Sequence, residues 1–172
     1  MMQSDSPEPR ETFDAILQKT NFDLCDALFC QIGDRVGDLV YDESLSEQEQ
    51  LVSTVWWAFG IIGNGGLERL FSRAIKEDPG YARLYEYHRV LNLSNAGEAL
   101  RQAFALFPGG VVPTSEPEIY EAYIGATDFE ERWRLSCLYF DDAGTDDDSP
   151  LVVNLASYIR ENANWFREVG GY

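Results

Sequence analysis

The chain has 172 residues, 45% of them hydrophobic and 13% aromatic, enough apolar material for one domain with a real core. Thirty carboxylates against thirteen Lys and Arg give a net charge of −17, which disfavours direct binding to nucleic acid or to an anionic membrane and favours a basic partner. No apolar run reaches the roughly 20 residues needed to cross a bilayer, and residues 1–10 are polar and acidic, unlike a signal or transit peptide, so a cytoplasmic setting is expected.

Residues 1–10 read as a flexible acidic tail and residues 11–172 as a single helical domain, because the apolar spacing is three and four throughout and never alternates by two. A short amphipathic turn carries Phe13, Ile16 and Leu17. Phe22, Cys25, Phe29, Ile32, Val36 and Leu39 then step along one face of a longer helix. Ser46 and Glu49 form a capping box opening a helix with Leu51, Val52, Val55, Trp56, Trp57, Phe59, Ile61 and Ile62, whose second half is apolar all round and which is therefore placed at the centre. Gly63, Asn64, Gly65 and Gly66 stop it, since Gly and Asn accept the left-handed backbone that terminates helices.

A helix with Leu67, Leu70 and Phe71 follows, then a turn at residues 77–80, then a face of Tyr81, Leu84, Tyr85, His88 and Leu91. Asn95 with Glu98 caps a helix that ends at Pro108, and the proline-rich stretch from Pro108 to Pro117 is the longest expected loop. Two further capping boxes, Ser115 with Glu118 and Thr127 with Glu130, open helices, the second carrying Phe129, Trp133, Cys137 and Phe140 on one side. Pro150 suits the first turn of a last helix with Leu155, Ile159, Ala163 and Phe166. The fold class is thus all-α, a compact domain of about nine helices around a buried aromatic-rich one.

Little in this pattern points to catalysis. His88, the only histidine, lies on an apolar face with no paired nucleophile, and is expected to be a hydrogen-bonded core residue. Cys25 and Cys30 read as small buried hydrophobes, and with Cys137 their spacing fits neither a zinc knuckle nor a redox pair. The glycines before Leu67 follow a helix and lack the Lys-Ser of a phosphate loop. Asp141, Asp142, Asp146, Asp147 and Asp148 offer oxygen ligands, but their spacing does not reproduce a calcium loop. No enzyme activity, cofactor or metal is expected.

The carboxylates themselves carry the stronger signal. Residues 1–50 hold −9, residues 51–100 are neutral and residues 101–172 hold −8, so a neutral scaffold separates two acidic flanks. Asp34, Asp38 and Asp42 recur every four residues, preceded by Asp23 and Asp26 and followed by Glu43, Glu47 and Glu49. Each four-residue step rises about 6 Å, comparable with phosphates on one DNA strand at about 3.4 Å of rise per charge. The row also turns by roughly 40° per step, so only two or three acids align. The second region comprises Glu116, Glu118, Glu121, Glu130 and Glu131, continued by the Asp141 to Asp148 run.

The segment LVSTVWWAFGIIGNGGLERLFSR, Leu51 to Arg73, resembles the signature of the DUF4375 family, also called the DMP19-like C-terminal domain. The resemblance rests on Trp56 and Phe59 in an aromatic helix, a structural corner at Asn64, Gly65 and Gly66, and Leu67 with Phe71-Ser72 beyond it. Gly63, Leu67 and Arg73 depart from the usual Asn, Phe and Asn. The resemblance implies an acidic helical homodimer acting as a DNA mimic, which occupies the DNA-binding surface of a transcription regulator. Together with the charge pattern, this leads to the expectation of a protein that binds a basic DNA-binding protein and keeps it off DNA. The alternative is an immunity or antitoxin-like protein neutralising a toxic enzyme such as a nuclease.

Overall fold

Two threonines start the first two helices. Thr12 and Thr20 lie just outside helical geometry and accept backbone N–H groups through their hydroxyls, opening α1 (Phe13–Ile16) and α2 (Asn21–Val36). Gly37, at φ +80°, ends α2. The computed structural model describes residues 11–37, 44–72, 81–113, 115–168 and 172, so Asp38, Leu39, Asp42, Glu43, the residue 77–80 turn and the tail at 1–10 lie outside the described residues.

The box at Ser46 forms as expected. The Ser46 hydroxyl accepts the Glu49 N–H, and the Glu49 carboxylate accepts the Ser46 N–H at 2.8 Å, opening α3 (Glu47–Gly63). Leu51, Val52, Val55, Trp56, Phe59 and Ile62 are buried, Trp57 and Ile61 are half-buried, and α3 packs against α2, against α4 (Gly66–Phe71) and against α5 (Ala82–Val90). α3 is therefore the central aromatic-rich helix. Phe22 of α2 meets Trp56 and Phe59 edge-on, with ring centroids 5.0 and 6.4 Å away, so an aromatic cluster joins the two helices.

The remaining elements are α6 (Ser94–Ala105), a 3-10 turn at Pro108–Gly110, α7 (Glu116–Ala126), α8 (Phe129–Phe140), α9 (Pro150–Glu161) and α10 (Ala163–Glu168). The fold is all-α: the described residues hold ten helices and no strand. The tenth arises because the last expected helix breaks at Asn162, leaving Ala163 and Phe166 on α10. α8 packs along α6, α9 along α2, and α4 contacts both α7 and α8. No helix among the described residues is long and apolar enough to cross a membrane.

Several local expectations shift. Thr127 does not cap α8, because its hydroxyl donates to the Tyr123 carbonyl at 2.6 Å; Asp128 caps instead, accepting the Glu131 N–H at 2.8 Å. Ser115 makes no side-chain cap. Asn95 does not cap α6 either: the start of that helix is closed from outside by Asp142. Cys25 is buried, whereas Cys30 is exposed. On α8 the buried residues are Leu135, Ser136 and Tyr139, and the side bearing Phe129, Trp133, Cys137 and Phe140 faces out.

Candidate protein-binding surface

At 100° per residue, Asp23, Asp26, Cys30 and Asp34 fall within a stripe about 80° wide that runs about 17 Å along α2, and all four are exposed. Leu24, Cys25, Leu28 and Ile32, the opposite face, are buried. The Cys30 thiol is pushed upward first by partial burial and then by the neighbouring charges of Asp26 and Asp34. Asp26 also accepts the Trp56 indole N–H at 3.1 Å, so this acid anchors α2 to the central helix as well.

The acidic loop after α8 closes onto the beginning of the same stripe. The Asp147 carboxylate accepts the Phe22 N–H at 2.7 Å, and its carbonyl accepts an Asn21 amide N–H at 3.1 Å. An anion at a helix N-terminus satisfies an otherwise orphaned donor and meets the positive end of the helix dipole. Asp146 and Asp148 flank it, both exposed, so residues 125 apart in sequence share one negative patch. Arg160 borders the patch, donating to the Asn21 side-chain oxygen at 2.6 Å and to the Lys19 carbonyl at 3.2 Å.

Asp142 is not part of this surface. Only 7% exposed, it accepts the Asn95 and Ala96 N–H groups at 2.7 and 3.0 Å and the Asn95 amide at 3.1 Å, pinning the end of α8 to the start of α6. Burial decides this, because a desolvated carboxylate must spend its lone pairs inside the protein. Asp141 beside it is exposed.

The other expected acids lie elsewhere. Glu118 and Glu121 are exposed on α7, and Glu130 on the first turn of α8; the side chain of Glu116 lies outside the described residues. Glu131 is tied to Arg134 at 2.8 Å, which holds its carboxyl below the usual range. Among the described residues no hydrogen bond or ion pair joins this group to the acids of α2. Glu49, expected to extend the acidic region of α2, is instead a buried hub that receives Arg35, the Ser46 cap and the Tyr172 hydroxyl at 2.6 Å. Burial pushes its carboxyl up, and these hydrogen bonds more than reverse that, leaving it lowered.

His88 is fully buried. Its Nδ1–H donates to the Leu84 carbonyl at 2.8 Å, so Nε2 accepts from the Tyr139 hydroxyl at 3.2 Å, and burial lowers the imidazole to about 4. Nδ1 is thus bound within α5 and Nε2 across to α8, so both ring nitrogens are occupied. No group of three His, Cys, Asp or Glu among the described residues is placed to hold a metal ion.

The corner at Asn64, Gly65 and Gly66 has a structural cause. Gly66 sits at φ +67°, and a Cβ there would lie 2.5 Å from the Ser136 hydroxyl. That hydroxyl accepts the Leu67 N–H at 3.1 Å and donates to the Arg132 carbonyl at 2.9 Å, locking α4 to α8. Asn64 closes the end of α3 by donating its amide to the Gly60 carbonyl at 2.7 Å.

A family model described as DMP19-like protein matches residues 43–162. The chain belongs to the DMP19-like protein family. The matched span holds α3 to α9 entire, with the Asn-Gly-Gly corner, and leaves out α1 and α2. Membership in the DMP19-like family thus reaches the scaffold, the corner and the acidic loop, while Asp23, Asp26 and Asp34 lie before the match. No curated protein and no solved structure matches the chain.

Proposed function

We propose that this DMP19-like protein is a non-catalytic DNA mimic: it binds a basic DNA-binding protein, such as a transcription regulator, through the acids of α2 and of the Asp146 to Asp148 loop after α8, and so blocks access to DNA. The observation that supports this most is Asp147 seated on the start of α2, which adds the loop acids to the stripe of Asp23, Asp26 and Asp34. Among the described residues, Asp23, Asp26, Asp146 and Asp148 form no ion pair, leaving them to Arg and Lys of a partner. Such a field steers a cationic partner and weakens steeply with salt.

The test immobilises the chain and a D23N/D26N/D34N/D146N/D148N variant and captures proteins from an extract of the producing cell. Asn keeps an acceptor oxygen for the Trp56 indole, so the variant should retain its helical circular dichroism. Expected is a basic DNA-binding protein captured by the native chain, released by salt and lost from the variant. Equal capture by both chains contradicts the proposal. Capture of a toxic nuclease in its place moves the same surface to the immunity reading.

A further inference from the structure

Arg160, in the last turn of α9, lies against the acidic patch and, among the described residues, joins no ion pair. Asn21, the first residue of α2, accounts for this. Its side-chain oxygen accepts Arg160 Nη1 at 2.6 Å and its amide nitrogen donates to the Asp147 carbonyl at 3.1 Å, so a single carboxamide separates the guanidinium from the acidic loop. The orientation of that amide is fixed, because a guanidinium only donates and a carbonyl only accepts. The Lys19 carbonyl takes Arg160 Nη2 at 3.2 Å. Burial pushes the neighbouring Cys25 thiol up to about 12, and both Arg160, which lowers it, and Asp147, which raises it, act on the same sulfur. Cation and anion therefore face one small region from either side of Asn21.

Opposite charges so placed form charge-assisted pairs when nothing intervenes. The Asp147 carboxylate is engaged with the Phe22 N–H at 2.7 Å, one of the donors that a helix start leaves without a partner inside the helix. An ion pair with Arg160 competes for that carboxylate and changes the patch twice: it cancels one negative charge, and it draws the loop from the start of α2 toward α9. An exposed ion pair and a helix-capping contact are of similar worth, so the residue standing between them decides the outcome. The loop's other fixings, Asp142 on the start of α6 and the Ser149 N–H on the Asp146 carbonyl at 3.0 Å, make no bond to α2. Its seat on that helix rests on Asp147 and Asn21.

We infer that Asn21 is a positioning residue for the acidic surface: inserted between Arg160 and Asp147, it withholds the cation from the loop carboxylates and keeps the Asp146 to Asp148 loop seated on α2. The inference rests on the reading of that surface as the recognition site, and names the residue that keeps it uncompensated.

The test needs no partner. The Phe22 N–H has no acceptor within α2, so its hydrogen-exchange protection in the full chain, read by nuclear magnetic resonance, reports Asp147 in place. D147A sets the unseated limit. The native chain should be better protected than D147A, N21A should lose at least about threefold of the native protection, and N21A/R160Q should return toward the native value. R160Q alone should match the native chain. A merely structural anchor would not be rescued by removing Arg160. Circular dichroism and thermal melts verify that each variant folds, as expected for side chains that are not buried. A native chain no better protected than D147A, unchanged protection in N21A, no rescue in N21A/R160Q, or protection lost in R160Q alone overturns the inference. Failure of the native chain to capture a DNA-binding protein removes the mimic and leaves these exchange rates as they are, so the two readings fall separately.

Discussion

The acid stripe of α2 and the Asn-Gly-Gly corner beside α8 are built in opposite ways. The stripe stands on side chains alone, carboxylates projecting from a helix whose other face is core. The corner is framed by backbone, where Gly66 holds a left-handed conformation against Ser136. The stripe should therefore tolerate substitution with little effect on stability and a large effect on charge recognition. The corner should do the reverse. The division follows the family match as well, which contains the corner and not α2.

The largest effect is expected at the corner. Gly66→Ala forces a positive φ on a residue with a Cβ and displaces the hydroxyl that receives Leu67, for a loss of about 3–4 kcal/mol in denaturant unfolding. A variant as stable as the native chain would remove the backbone account of the corner. Acidification comes next. Burial lowers His88 to about 4 from an unfolded value near 6.5, so between those values the unfolded chain binds the extra proton. The stabilising contribution is complete above pH 6.5 and is lost as pH falls toward 4, amounting to roughly 3 kcal/mol. Glu49, also lowered, adds to the loss below its unfolded value. Melting temperature followed from pH 7 to pH 4 should fall, and should fall less in His88→Gln.

Asp142→Ala, which removes three hydrogen bonds at the start of α6, should cost about 2 kcal/mol. This variant separates two acids adjacent in sequence, because Asp141→Ala beside it should change stability by less than about 0.5 kcal/mol. Equal effects at the two positions would contradict the placement of Asp142. The smallest effect belongs to the stripe: D23N/D34N should leave stability within about 0.5 kcal/mol, the relief of self-repulsion offsetting lost local contacts. A large loss would make the stripe structural and erase its contrast with the corner.

The elements were legible where their causes are local. Ser46 and Glu49 lie three residues apart and satisfy each other whatever surrounds them, and an apolar run such as Val55 to Ile62 has to be largely buried. His88 was legible for the same reason, sitting between apolar neighbours one helical turn away. What failed depended on distant partners. Asp142 and Asp141 look alike in sequence, and only the start of α6 distinguishes them. The stripe of Phe129, Trp133 and Phe140 has the spacing of a core face, yet α8 turns Leu135 and Tyr139 inward because α6 and α5 lie on that side. Cys30 likewise has core spacing on a helix rotated to bury Leu24 and Leu28 instead. Helical periodicity identifies an apolar stripe without saying whether this chain or another one covers it.

The most direct test of the mimic is competition. With a captured DNA-binding protein bound to a fluorescent duplex of its own site, addition of the native chain should lower the anisotropy to that of free duplex, with an apparent affinity that falls as salt rises. D23N/D26N/D34N/D146N/D148N should leave the duplex bound. A ternary complex, in which the native chain binds the partner while the duplex stays in place, would contradict the account.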